Sequence, residues 1–109
     1  MKTLVQHVGV LAQHSTDSKD VILQAILGSP FIIDEDSLLC YYVEKYPWAN
    51  YLTILYESGN GTKIWEWVKK ISRENKCEKI YCITQRPKGV CRKYGFRQSG
   101  VLCEREGFI

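Results

Sequence analysis

Apolar positions along the chain change their period several times, and each change marks an element. Val21, Ile22, Ala25 and Ile26 repeat at helical spacing, behind the capping run Thr16-Asp17-Ser18 and ahead of the stop Gly28-Ser29-Pro30, so a helix is expected there. Residues 4 to 12 fit two periods: Val5, Val8, Leu11 and Ala12 suit a helix, whereas Val8-Gly9-Val10 suits a short strand. Phe31-Ile32-Ile33 and Leu38 to Val43 are β-prone runs flanking the acidic turn sequence Asp34-Glu35-Asp36-Ser37, the pattern of a hairpin that Tyr46-Pro47 closes. Ala49 to Tyr56 follows as a third strand. Alternation puts Tyr51, Thr53 and Leu55 on one face and Leu52, Ile54 and Tyr56 on the other, and bulk on both faces suits a central strand.

From Thr62 to Asn75 the period turns helical again, with Ile64, Val68 and Ile71 on one stripe widened by Trp65 and Trp67, and Lys63, Glu66, Lys69, Lys70, Arg73 and Glu74 elsewhere. Lys79 to Thr84 is then a strand parallel to the third, because a helical crossover joins them. Pro87 opens a short helix that ends near Tyr94-Gly95, and Phe96 to Arg105 forms a last strand with Ser99-Gly100 as the place for a break. The expected fold is a small α/β domain with a mixed sheet: N-terminal helices, a β-hairpin, then strand, loop, helix, strand, helix and strand.

A length of 109 residues limits this to a single domain over residues 1–109. Apolar residues at 45% and charged ones at 25% match a globular chain and exclude disorder and collagen-like structure. No run approaches the ~18 uncharged apolar residues of a membrane span, and the polar start Met1 to His7 does not suit a signal-peptide core. A cytoplasmic protein without a membrane partner is expected. The cysteines Cys40, Cys77, Cys82, Cys91 and Cys103 are odd in number and lack a C-x-x-C pair, so reduced thiols are the default. The net charge of +3 conceals an acidic first half, with three Lys and seven acidic residues through position 62, and a basic second half, with twelve Lys/Arg and five acidic residues. Such a half attracts a phosphate-bearing cofactor, a nucleic acid, or its own acidic counterpart.

The chemistry-bearing stretch is Tyr51 to Phe96. A glycine turn between a strand and a helix aims free backbone amides and the positive end of the helix dipole at one point, where an anionic phosphate fits. Gly59 and Gly61 in Ser58-Gly59-Asn60-Gly61 are the residue types that turn wants. His7 and His14 lack metal-ligand spacing, the cysteines suit no zinc site, and neither a Ser-His-Asp arrangement nor a Walker pattern is readable.

Strand, Gly-x-Gly, amphipathic helix, strand, short helix and the Gly95-Phe96 pair resemble the later half of the GNAT superfamily, the acetyl-CoA-dependent N-acetyltransferases, over about residues 31 to 105. The resemblance implies a GNAT-like fold shortened at its N-terminus, with a sheet splayed between the strand before the glycine loop and the strand after the helix. Acetyl-CoA would lie in that cleft with its pyrophosphate on the loop amides. The family's loop pattern Gln/Arg-x-x-Gly-x-Gly/Ala falls on Tyr56, Glu57, Ser58, Gly59, Asn60 and Gly61; both glycines match and Tyr56 departs. Tyr56, Gly59, Asn60, Gly61, Thr62 at the helix start, and Thr84, where the family often has asparagine, are the implied cofactor contacts. The residue four before the Gly of the Gly-Phe pair, commonly the tyrosine that protonates the departing thiolate, is Cys91 here. Glu57 is the best-placed general base toward an amine acceptor.

The leading expectation is therefore an acetyl-CoA-binding N-acyltransferase, with catalysis itself in question at Tyr56, Thr84 and Cys91. A non-catalytic GNAT-like structural or interaction protein, for instance of viral or mobile-element origin, is the second reading. The third is a nucleic-acid-binding module through Arg86, Lys88, Arg92, Lys93 and Arg97, with Tyr94 and Phe96 interleaved.

Overall fold

The computed structural model describes residues 2–83, 93–99 and 102–108. Thr3 caps α1 (Leu4–Gln13) through a capping box in which its hydroxyl accepts from the Gln6 amide and the Gln6 side chain accepts from the Thr3 amide. The helical period thus prevails over the strand alternative in residues 4 to 12. Ser18 caps α2 (Lys19–Leu27), which stops at Gly28 as expected. The hairpin is β1 (Phe31–Ile33) with β2 (Leu38–Lys45), and Asp34 holds its turn by accepting from the Asp36 and Ser37 amides.

Strand β3 (Asn50–Ser58) leads into α3 (Gly61–Glu74), and β4 (Cys77–Ile83) follows it. The expected last strand is two, β5 (Arg97–Ser99) and β6 (Leu102–Glu106), which pair antiparallel. The described strands form one mixed sheet in the order β1-β2-β3-β4-β6-β5, in which β3 and β4 run parallel and the other neighbours antiparallel. The short helix expected from Pro87 lies largely outside the described residues, with Thr84 and Cys91; Lys93 and Tyr94 at its end are helical.

The sheet is covered on both faces. On one, Ile64, Val68 and Ile71 of α3 pack on Leu39, Leu52, Ile54, Cys77, Ile80, Cys82 and Cys103, with Phe96 beneath Trp65. Val68 is fully buried there, which stabilises the fold by about 2 kcal/mol. On the other face Val8, Ile22 and Ile26 of α1 and α2 cover Leu38 and Cys40, with Leu55 and Tyr56 joining them.

A β-bulge decides which β3 side chains reach which face. Cys40 faces Tyr56 while its neighbour Tyr41 faces Ile54, so Leu55 is an extra residue in the ladder. Strict alternation would put Tyr56 beside Leu52 and Ile54. The bulge instead turns Tyr56 toward α1 and α2, where its hydroxyl donates to Asp17 at 2.8 Å, and brings Glu57 round to the face that α3 covers.

Candidate functional site

Among the described residues the parallel pairing of β3 with β4 runs from Asn50 and Cys77 to Ile54 and Cys82; β3 continues through Leu55–Ser58, and Ile83 of β4 pairs with Leu102 of β6. Ile54, Glu57, Gly61, Trp65, Cys82, Tyr94 and Phe96 line a cleft at the end of this pairing, which holds about 270 Å³ of empty space with its open mouth included. The strand-end carboxylate, the first residue of α3 and the segment before Gly95 therefore meet in one place.

The glycine loop is built as much by the acidic hairpin turn as by its own glycines. Gly59 has φ +111°, and a Cβ there would lie 1.9 Å from the Asp36 carbonyl oxygen, so glycine is required for the loop to lie against that turn. Ser37, fully buried, accepts the Asn60 amide at 3.1 Å, and the Asn60 side chain caps α3 by accepting from the Lys63 amide at 3.1 Å. Two of the four amides that a helix start leaves unpaired are thus satisfied by side chains. The expectation that Asn60 offers its amide to a ligand is corrected by that Ser37 contact. Gly61 and Thr62, at the first two positions of α3, have amides with no acceptor among the described residues, at the positive end of the helix dipole.

Charge around this point has two signs. Lys63 bridges Asp34 and Asp36 at 2.9 Å each, so a cation of the basic half answers the acidic half; Lys63 and Ser37 hold the Asp36 carboxyl down to about 2. On the other side of Gly61, a Cβ would stand 2.8 Å from the Tyr94 hydroxyl and 3.8 Å from the Lys93 ammonium. Those two side chains border the unpaired amides. Gly95, at φ +72°, turns the chain there so that Tyr94 lies 4.8 Å and Phe96 6.0 Å from the Trp65 ring, centroid to centroid. Arg105 fixes the cluster from outside, donating to the Tyr94 carbonyl at 2.7 Å and lying over the Trp65 and Phe108 rings.

Glu57 stands at the mouth of the cleft, reachable by solvent, with protein behind its carboxyl. That desolvation raises its pKa, and the Lys93 ammonium opposes the shift. Cys82 is 5% exposed, and burial, then the Glu57 charge, push its thiol up to about 12. Of the residues singled out in the sequence, Glu57 and Gly61 line the cleft and Thr62 follows Gly61 in α3, whereas Tyr56 packs with α1 and α2 and Gly59 lies against the hairpin turn. Cys91 lies outside the described residues, and Tyr94, beside the Gly95-Phe96 turn, lines the cleft. No metal-binding group of His, Cys, Asp and Glu occurs among the described residues.

No family model, no curated protein and no solved structure matches this chain.

Proposed function

We propose that this domain is a short GNAT-like N-acyltransferase that binds an acyl-CoA such as acetyl-CoA and passes the acyl group to an amine. The observation that carries the reading is the cleft at Ile54 and Cys82, directly ahead of a capped helix with two amides that have no acceptor among the described residues, with Glu57 and Gly61 on its lining. The amides of Gly61 and Thr62 suit a pyrophosphate, and the Lys93 ammonium adds an opposite charge beside them. Acyl-CoA supplies the activated thioester. Glu57, its pKa raised toward neutrality, takes a proton from the attacking amine, and the Tyr94 hydroxyl in the same cleft returns one to the departing thiolate. Cys91, the acid that the resemblance implies, lies outside the described residues.

One observation favours the second reading, a GNAT-like interaction protein without catalysis. Trp65, Tyr94 and Phe96 fill the cleft, and the cavity left is about 10 Å³, room for a single water and far below the ~300–1,000 Å³ of an ordinary ligand pocket. A pantetheine arm enters only if Tyr94 swings off Trp65.

Calorimetric titration with acetyl-CoA up to millimolar concentration separates the two. Saturable heat in the parent chain, lost in Gly61→Trp, supports the acyltransferase, and Glu57→Gln and Tyr94→Phe should each then lower turnover on polyamine or peptide amines at least tenfold. Absence of heat leaves the non-catalytic reading.

A further inference from the structure

We infer that the sheet face away from α3, from the β2–β3 turn to Tyr81, is a docking surface for an arginine-bearing extended polypeptide segment of a partner protein. Four aromatic rings form an unbroken row there. Trp48 stacks on Tyr46 at 4.9 Å with 10° between planes, Tyr46 lies 5.8 Å from Tyr51, and Tyr51 meets Tyr81 edge-on at 5.9 Å. Neither core cluster includes any of them, because α1 and α2 cover the sheet only around Leu38, Cys40, Leu55 and Tyr56. Trp48 is 69% exposed, and stacking on Tyr46 leaves its other indole face to solvent. An indole held flat in water at a hairpin tip contributes little to the fold and much to an interface.

Charge selects the occupant. The strand register sets Glu44 directly opposite Tyr51, and Glu104 directly opposite Tyr81, so each of these tyrosines has a carboxylate as its cross-strand neighbour. Glu106 stands opposite Lys79 one step along the same face. Glu44 accepts the Tyr46 hydroxyl, which ties the carboxylate to the stacked pair. Among the described residues the cations of this face are Lys79, the β4 neighbour of Tyr51, bound to Glu104 at 2.9 Å, and Arg97, opposite Glu104 on β5. Lys45 alternates away and exerts its charge on Cys77 on the other face.

Ring faces carry negative potential, and carboxylates along the row add to it. A guanidinium is the group that both features attract, since it stacks flat on an indole and hydrogen-bonds a carboxylate in its own plane. Alternate residues of an extended segment project on one side at about 7 Å intervals, between one ring step and the two steps of 4.9 and 5.8 Å that separate Trp48 from Tyr51, and the long arginine side chain spans the difference, so successive arginines can engage Trp48 with Glu44 and then Tyr51. A single-stranded nucleic acid would stack on the same rings but meets carboxylates where its phosphates need cations. This surface lies on the sheet face opposite Ile54 and Cys82 of the cleft and is independent of the acyltransferase reading.

The probe is a fluorescein-labelled peptide of alternating arginine and glycine, compared by anisotropy with matched lysine-glycine, serine-glycine and proline-rich peptides and with a thymidine oligonucleotide. The arginine peptide should bind tightest, Trp48→Ala should weaken it about tenfold and Glu44→Gln about threefold, with circular dichroism unchanged in both. Equal binding of the serine-glycine peptide, or an unchanged affinity in Trp48→Ala, overturns the assignment. So does tighter binding of the proline-rich peptide or oligonucleotide, or a concentration-dependent dimer by sedimentation that Trp48→Ala abolishes, which would give this face to a second copy.

Discussion

Desolvation in the cleft acts on two of its lining groups with opposite consequences. A carboxyl raised toward neutrality becomes a better base, whereas a thiol raised to about 12 holds almost no thiolate at ordinary pH. Cys82 is accordingly packing, and iodoacetamide at pH 8 should leave the Cys82 peptide unmodified in the native protein and alkylate it in urea, as read by mass spectrometry. Substantial native-state alkylation would mean that the cleft opens far wider than its aromatic lining allows. At Gly59 the argument is steric. A side chain would have to occupy the Asp36 carbonyl at a φ that L residues avoid, so Gly59→Ala should cost about 3 kcal/mol or more in urea unfolding. A cost below 1 kcal/mol would show that the loop and the hairpin turn separate freely.

Helix α3 is fixed at each end by a single residue. Asn60→Ala removes the acceptor for the Lys63 amide and should cost about 1 kcal/mol. At the other end Lys76, just past the Asn75 cap, sits at φ +49°, where glycine is unstrained. Lys76→Gly should therefore stabilise the protein by about 0.5–1 kcal/mol, checked by the same unfolding midpoint. Elements like this one were legible in the sequence because their signals are local: the Ser18 cap, the Gly28 stop, the acidic turn before Leu38, and the Ile64, Val68, Ile71 stripe. The bulge at Leu55 was not legible, since it exists only as a mismatch between β3 and its partner strand. That mismatch sends Tyr56 to Asp17 and Glu57 to the cleft. The insertion of β6 between β4 and β5 was illegible for a related reason: strand order depends on which edge pairs, and Ser99-Gly100 marks only that the chain breaks. Of the candidate site, the glycine loop and Glu57 could be read, and the Ser37 and Tyr94 contacts required three dimensions.

At the scale of the whole molecule, the acidic and basic halves meet where Lys63 enters the hairpin turn, and α1 lies against the same turn through the Lys2 amide and the Glu35 carbonyl. His7 is fully buried in α1, and neither ring nitrogen has a hydrogen-bond partner among the described residues. Burial is the main cause that lowers its pKa below 6.5, the Lys2 charge adds to it, and Asp34 and Asp36 oppose it. Above pH 6.5 the ring is neutral folded and unfolded, so it contributes no pH dependence. Below 6.5 the unfolded chain takes up a proton that the folded chain resists, and stability falls with pH until the lowered folded pKa is passed. Asp36 acts in a separate, more acidic window, because its stabilising contribution is lost between 3.8 and about 2. Urea midpoints measured from pH 7.5 to 4.5 should therefore decline beginning near 6.5. His7→Leu should remove that decline and, by replacing an unpartnered buried imidazole with an apolar side chain, raise stability at pH 7.5 by about 1–2 kcal/mol. Retention of the decline in His7→Leu would shift its origin to other titrating groups, and a loss of stability at pH 7.5 would mean that the imidazole is hydrogen-bonded through water in solution.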